Sequence, residues 1–366
     1  MPALLLFQAI FREVKLMIEA VQLTKTFGDF TAVKDVSFNV GSGKVMALLG
    51  HNGAGKTTTT RMLTATLAPT FGYARIAGYD TVKNPQEVRK TIGHLTELPG
   101  LYNRMRIEEY LDFFGEVYYV PKNIRKGRAE EMLKQFDLWE TRQLKMGEYS
   151  KGMRQKAALI RALIHEPKVL FLDEPTSAMD PHSAKMVRDA ISQLKQENRA
   201  IILCTHNLFE AEALADYITI IRKGEIVIEG TSEQLKRKLL GTPAYTVQLA
   251  QAIPTDGLPF ELANLVELTQ FGTDWFNFTT EEADKVNPIL LRRLLDNGFE
   301  VVTISQVSRS LESVYLKIAG TPQQNSDSRD EIENSLNKVK KSGKGSSERD
   351  QQNQEQVSTE AEEVIR

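Results

Sequence analysis

The 366-residue chain carries one cysteine, Cys204. No disulfide framework can form within it, and a reducing, cytosolic compartment fits that count. A basic excess is also missing. The formal net charge is -2, so nothing in the charge balance points to nucleic acid as a partner. No run reaches the about 20 apolar residues that a membrane-spanning helix needs. The nearest approach, Met1 to Phe11, is stopped by Arg12 and Glu13 and lacks the basic start of a signal peptide. Residues 1–16 are therefore expected to be a flexible extension ahead of a folded region that opens at Met17, with a short interfacial helix as the other reading. Internal repeats are absent.

Hydrophobic residues make up 41% and charged residues 26%. That balance is ordinary for a globular protein, and the length suffices for one large domain and one small one. Two alternating runs, Ile18 to Phe27 and Thr31 to Val40, are broken by Gly28-Asp29 and read as an antiparallel hairpin. The apolar runs Val45 to Leu49, Val169 to Leu172 and Ala200 to Thr205 read as buried parallel strands. Between the first two, residues 84–167 read as mostly helical. Ile107, Leu111, Phe114 and Tyr118 share one helical face, Pro121 ends that helix, and Ser150 begins another that runs to about His165. Tyr217 to Glu229 splits at Lys223-Gly224 into a second hairpin. Composition breaks at Gly241-Thr242-Pro243, and residues 243–319 read as a small α+β domain with helices at Asn287 to Leu295 and Leu311 to Ile318. Residues 320–366 are polar and almost without aromatics, too poor in apolar surface to offset ordering entropy, and are expected to be disordered.

Chemistry enters at Gly50-His51-Asn52-Gly53-Ala54-Gly55-Lys56-Thr57, which matches G-x-x-x-x-G-K-[ST]. The glycines let backbone N–H groups wrap a phosphate chain, and the helix after the loop adds the positive end of its dipole. Lys56 can reach the outer phosphates and the Thr57 hydroxyl can ligate Mg²⁺, with Thr58 completing the stretch. The context is right, a buried strand before and a helix after. By itself the motif means only a nucleoside triphosphate. Downstream, the strand Val169 to Leu172 runs into Asp173-Glu174. A carboxylate there can lie beside the phosphate loop, Asp173 to hold Mg²⁺ through water and Glu174 to polarise the attacking water.

Between these motifs, Tyr149-Ser150-Lys151-Gly152-Met153-Arg154-Gln155 resembles the L-S-G-G-Q signature loop of the ABC (ATP-binding cassette) ATPases. After Glu174, Pro175 to Asp180 looks like that family's D-loop, and Cys204-Thr205-His206-Asn207 like its switch-histidine segment. The pieces stand in the family's order from about Ile18 to Leu240. The resemblance implies an α/β fold over residues 17–240: a RecA-like core carrying the P-loop, an antiparallel β subdomain and a helical subdomain. It implies ATP with Mg²⁺ as cofactors and head-to-tail pairs of subunits, a homodimer being expected. In such a pair Ser150 and Gly152 close over the partner's γ-phosphate. It also implies that His206 contacts the γ-phosphate and attacking water, that Asp180 makes contacts across the pair, and that an aromatic stacks on adenine. Phe27 matches the aromatic position, with Phe30 as the alternative.

Two departures stand out. Glu97 occupies the place of the family's usual glutamine; it can still approach Mg²⁺ but adds a negative charge. Lys151 and Met153 replace a glycine and the glutamine of the signature. Backbone donors survive both changes, so activity is expected to survive. These variants resemble the bacterial exporter branch whose ATPase and membrane parts are separate chains, serving drug, antibiotic, polysaccharide and sodium efflux. Many of its members carry a small domain ending in a pattern like Ser310-Leu311-Glu312-Ser313-Val314-Tyr315-Leu316. The implied partner is a transmembrane permease that holds this chain at the cytoplasmic face of the membrane, with Leu98 to Arg106 as the contact segment. The competing reading, a soluble ABC ATPase acting on DNA or ribosomes, would call for tandem cassettes, coiled-coil insertions or zinc-binding cysteines, and the sequence has none.

Overall fold

A computed structural model describes residues 15–98, 100–254, 258 and 265–320. The expected flexible extension (residues 1–14 of it) and the expected disordered tail (residues 321–366 of it) lie outside the described residues, as does Pro99; Leu16, placed in the extension, opens a strand, and Gly320, placed in the tail, ends a helix. The chain divides into two units between Val314 and Tyr315. Of the second, the described part is residues 315–320, the end of the helix Leu311–Gly320.

Among the described residues the strands form three sheets. The hairpin of β1 (Leu16–Phe27) and β2 (Phe30–Gly41) is extended by β4 (Phe71–Ile76) and β5 (Tyr79–Asp80) into an antiparallel sheet of order β2-β1-β4-β5. The central sheet has the order β10-β9-β3-β8-β7-β6, with β3 (Val45–Leu49), β6 (Ile92–Leu95), β7 (Val169–Asp173), β8 (Ala200–Thr205), β9 (Tyr217–Arg222) and β10 (Glu225–Gly230). Strands β9, β3, β8, β7 and β6 run parallel and only β10 is reversed. The third sheet, β12-β13-β11-β14, is antiparallel. It is built from β11 (Ala244–Leu249), β12 (Glu267–Phe271), β13 (Trp275–Thr279) and β14 (Val301–Gln306).

The central strands alternate with the period of two that a sheet buried on both faces requires. Met46 and Leu48 of β3, Val169 and Phe171 of β7, and Ala200, Ile202 and Cys204 of β8 pack toward the antiparallel β1-β2-β4 sheet. Val45, Leu170, Leu172, Ile201 and Leu203 point the other way, into a core built from helices. Those helices are α3 (Ile107–Val117), α4 (Lys122–Gln135), α5 (Lys151–Leu163) and α6 (Pro181–Gln196), coming after α1 (Lys56–Leu63) and α2 (Pro85–Thr91). The short helix Leu208–Leu214 is α7, and α8 (Ser232–Leu240) leads to the third sheet. There Val247, Leu249, Phe276 and Phe278 pack on Leu290 and Leu294 of α9 (Ala283–Asp296). The Arg309 guanidinium donates to Lys236 O (3.0 Å) and to Gly241 O, tying the end of this region to α8.

The stretch 84–167 is mostly helical as expected, with Ile92–Leu95 inside it forming the edge strand β6. Four residues with a glycine inside are too few to show a strand's alternation. The helix after the phosphate loop stops at Leu63, and Ala65 just beyond it turns left-handed (φ 54°). Ser150 does cap α5, accepting from Met153 N at 3.2 Å, and Ser310 accepts from Ser313 N at 3.3 Å at the start of its helix.

Gly93 lets α5 and the turn after it lie directly on β6. A Cβ there would collide with Ala162 O and sit 2.7 Å from Leu170 Cδ2 and 2.8 Å from Pro167 Cγ. The G93A variant is expected to lose about 1–3 kcal/mol of stability through overpacking. Calorimetry checks this, and an unchanged Tm would mean that α5 is free to move off the strand.

Candidate functional site

The phosphate loop leaves β3 at Leu49 and turns back into α1. Gly50 is required by close approach: a Cβ there would lie 2.5 Å from Ile221 O and 2.9 Å from Ala54 Cβ. Gly53 (φ 81°) and Gly55 (φ 111°) take left-handed conformations that strain a residue with a side chain. The loop is braced from the second hairpin, where Gly224 N donates to Ala54 O (2.9 Å). Its own turn closes by Ala54 N to His51 O (3.1 Å), and the His51 ring meets Asn52 O at 2.7 Å. His51, Asn52, Gly53 and Thr57 are exposed and Thr58 half-buried, so the loop presents an open rim. Lys56 is buried, and its ammonium donates to Gly50 O and to His51 O (3.3 Å). It is therefore folded into the cradle the loop encloses. Behind, Thr60 Oγ1 lies 3.3 Å from Cys204 Sγ. Burial pushes that lone thiol up to about 12, which leaves it unreactive.

Asp173 and Glu174 stand at the carboxyl end of β7, and Cys204 to His206 at that of β8. The register sets Leu49 beside Thr205 and Asp173 beside Cys204. The two acidic residues thus lie two strand spacings, about 10 Å, from the root of the phosphate loop. Burial, then the charges of Glu174 and Glu97, push Asp173 up to about 6, with the Lys56 ammonium opposing. Among the described residues, no group of three or more His, Cys, Asp or Glu forms a metal cage. A hydroxyl (Thr57) with the carboxylates Asp173 and Glu97 is instead the donor chemistry of Mg²⁺, which is ordinarily held by one or two carboxylates and substrate phosphates. The residues present fit that ion.

Glu174 is held from every side. Its Oε1 accepts from His206 N (2.9 Å) and faces His206 Nδ1 (2.7 Å), and its Oε2 accepts from Thr205 Oγ1 (3.3 Å). A carboxylate partner at Nδ1 favours a proton on that nitrogen, and the rest of the ring is exposed. The Glu174 backbone is left-handed (φ 49°), a conformation that costs about 1–2 kcal/mol for a residue with a side chain. Its N–H donates to Cys204 O (2.8 Å), and its carbonyl accepts from Ser177 N (3.1 Å) and from Gln155 Nε2 (3.1 Å).

Of the remaining expected residues, Glu97 is close enough for its charge to reach Asp173, and the others stand on separate elements. Ser150 is exposed at the start of α5, and Gly152 lies against the D-loop: a Cβ there would sit 3.8 Å from Met179 Cγ and 3.9 Å from Ala178 O. Asp180 accepts from His182 N (3.0 Å) and Ser183 N (3.1 Å), capping α6 within its own chain. Glu97 is exposed at the end of β6. Phe27 and Phe30 are both exposed, paired across the end of the first hairpin, and the Lys25 ammonium lies 5.3 Å from the Phe27 ring centroid. Two residues that touch Glu174, Thr205 and Gln155, fall inside quoted motifs, the switch-histidine and signature segments, but receive no role there. Thr205 is otherwise the last residue of a buried strand, and Gln155 a polar residue on a helix face carried by Ala158, Leu159 and Ala162, all buried.

Phosphate loop, acidic strand end and parallel sheet together define a nucleotide-binding cassette. Residues 33–177 match the family described as "ABC transporter". The chain is 42% identical over 205 residues to the ABC transporter ATP-binding protein NatA of Bacillus subtilis (strain 168), covering 56% of this chain and 83% of NatA. It is 33% identical over 298 residues to the daunorubicin resistance ATP-binding protein DrrA3 of Streptomyces coeruleorubidus, covering 81% of this chain and 93% of DrrA3. Its fold is similar to the dimeric structure of MJ0796, a bacterial ABC transporter cassette, with a TM-score of 0.55 at 25% identity over 59% of this chain and 98% of that one. The chain belongs to the ATP-binding subunits of the ABC transporters. Among its described residues no helix is long and apolar enough to cross a membrane.

The strand that leads to Glu97 carries a pH dependence. Burial pushes His94 down to about 4, and the Arg161 guanidinium adds to that. His165 is also pushed down to about 4 by burial; it stacks on Tyr118 at 3.8 Å and bonds Ile92 O at 2.9 Å. Both histidines bind protons more readily in the unfolded chain. Their contribution to stability is complete above the ordinary value of 6.5 and is lost as pH falls toward 4. The double variant H94Q/H165Q is expected to show a flatter fall of Tm between those limits than the parent. Equal slopes would place the acid sensitivity elsewhere.

Proposed function

We propose that this chain hydrolyses ATP to drive an exporter, coupling closure of a head-to-tail pair to a separate transmembrane permease. The observation that carries the hydrolytic half is the Glu174 carboxylate, held by His206 and Thr205 at the strand end beside Asp173. So held, Glu174 takes a proton from the attacking water, and His206 orients that water and the γ-phosphate through its outer nitrogen. Lys56 and the backbone from Gly50 to Thr58 hold the phosphates, and Phe27 stacks on the base. Mg²⁺, when bound by Thr57, Asp173 and Glu97, supplies charge neutralisation at the phosphates. Ser150 and Gly152 serve the partner's nucleotide, because Ser150 is exposed and opens a helix whose free N–H groups form an anion site. On this reading residues 17–240 are the ATP-binding domain and 243–319 an accessory domain that steadies or regulates the pair.

Export is supported by the role in daunorubicin resistance that DrrA3 is named for, and by the match along most of its length. The segment Leu98 to Arg106 is the proposed permease contact. Leu98 is 82% exposed, and Tyr102 rests on Tyr110, Phe113 and Phe114 with ring centroids 5.7, 6.2 and 6.1 Å away. An apolar surface backed by an aromatic cluster suits a short helical loop of a membrane protein.

Replacement of Glu174 by Gln is expected to cut kcat by about 10²–10⁴-fold, the usual contribution of a positioned base. It should also trap an ATP-dependent dimer in size-exclusion chromatography. An E174Q enzyme that turns over at the parental rate would remove Glu174 from the role. Isolation of the tagged chain from solubilised membranes is expected to bring down a multi-span membrane protein, and recovery only with ribosomes would overturn the exporter reading.

A further inference from the structure

We propose that Gln155 is a positioning residue for Glu174, setting the backbone of the base from the signature helix of the same chain. The inference rests on the reading of Glu174 as the base. Gln155 is 4% exposed, and its amide Nε2 donates to Glu174 O at 3.1 Å. Few groups besides backbone hold that peptide. Ser177 N reaches the same carbonyl, and Cys204 O receives the Glu174 N–H. The residue so held is left-handed, a conformation that persists only where its surroundings over-determine it.

The donor's location matters. Ser150 caps α5 and faces outward, and Gln155 lies five residues further along, about 7.5 Å of helix rise. The same helix touches the D-loop at Gly152. One rigid element therefore reaches a proposed partner nucleotide at its exposed tip and the chain's own base at its buried flank. A tilt of α5 that moved Ser150 would also move Gln155 and, through a single hydrogen bond, the Glu174 carbonyl. The carboxylate sits on the same residue, so a change in that peptide's plane re-aims it relative to His206 and Thr205.

The test uses the full chain with Mg²⁺ and ATP. Q155M keeps the side chain's length and removes the amide that donates. Q155L likewise places a side chain of similar size there with no donor. Both are expected to lower kcat by about tenfold to a hundredfold, the range for a displacement of catalytic groups by a remote change. KM is expected to stay within about twofold, because nucleotide contacts are untouched, and Tm is expected to stay near the parent's. A parental kcat in either folded variant overturns the proposal, and so does a loss of kcat that KM and Tm follow in step, since that marks a structural role. The E174Q variant separates the two readings. If E174Q is inactive while Q155M is at the parental rate, only this inference fails. If E174Q remains active, the base assignment fails first and this inference falls with it.

Discussion

Strands β3, β8 and β7 are buried on both faces, and their backbone N–H and C=O groups have no water to turn to. They can satisfy one another only as a parallel ladder, and the ladder has one register. That register brings Leu49, Asp173 and Thr205 out at the same end of the sheet. Each of three segments directly succeeds a buried strand: the phosphate loop after β3, the acidic pair after β7, His206 after β8. Slipping any strand by one residue would exchange its two faces between the helical core and the antiparallel sheet. The site is thus positioned by hydrophobic burial some distance below it.

The strain at Glu174 arises from that arrangement. The chain must leave β7 and turn at once into the D-loop without carrying the carboxylate away from β8. A left-handed residue makes the turn, and glycine would do so at lower cost, but glycine has no carboxylate. The turn is stabilised instead by the bonds that surround it, from Cys204, Ser177 and Gln155 on the backbone and from Thr205 and His206 on the side chain. The raised Asp173 belongs to the same crowding: burying a carboxylate beside Glu174 and Glu97 destabilises its charged form and leaves it suited to a cation.

Much of this is legible in the residues. The phosphate loop is a contiguous motif whose backbone requirements are written as glycines, and the apolar runs before Gly50 and Asp173 announce their strands. The capping roles of Ser150 and Ser310 are legible because a short hydroxyl before an apolar period has one common use. Contacts between distant segments are not legible. Nothing local tells that Thr205 reaches Glu174, that Gln155 spans to a peptide 19 residues on, or that Ile92–Leu95 pairs with β7. Asp180 shows a different limit. Its sequence supports both a helix cap and a contact across a pair, and within one chain the cap is the interaction that forms.

The departures from the family pattern also become easier to weigh once burial is known. Lys151 is exposed and Met153 only half-buried, both in the first turn of α5, where the backbone N–H groups and the Ser150 hydroxyl remain available whatever the side chains are. Glu97 is exposed but close enough to raise Asp173, so its extra charge is felt at the carboxylate and not merely dissipated in solvent. Of the three changes, it is the one whose charge reaches Asp173. The signature variants act at the tip of α5, on whatever that tip meets. A helix with a tolerant exposed end and a tightly bonded buried flank can vary its first turn widely while its grip on the Glu174 peptide stays the same.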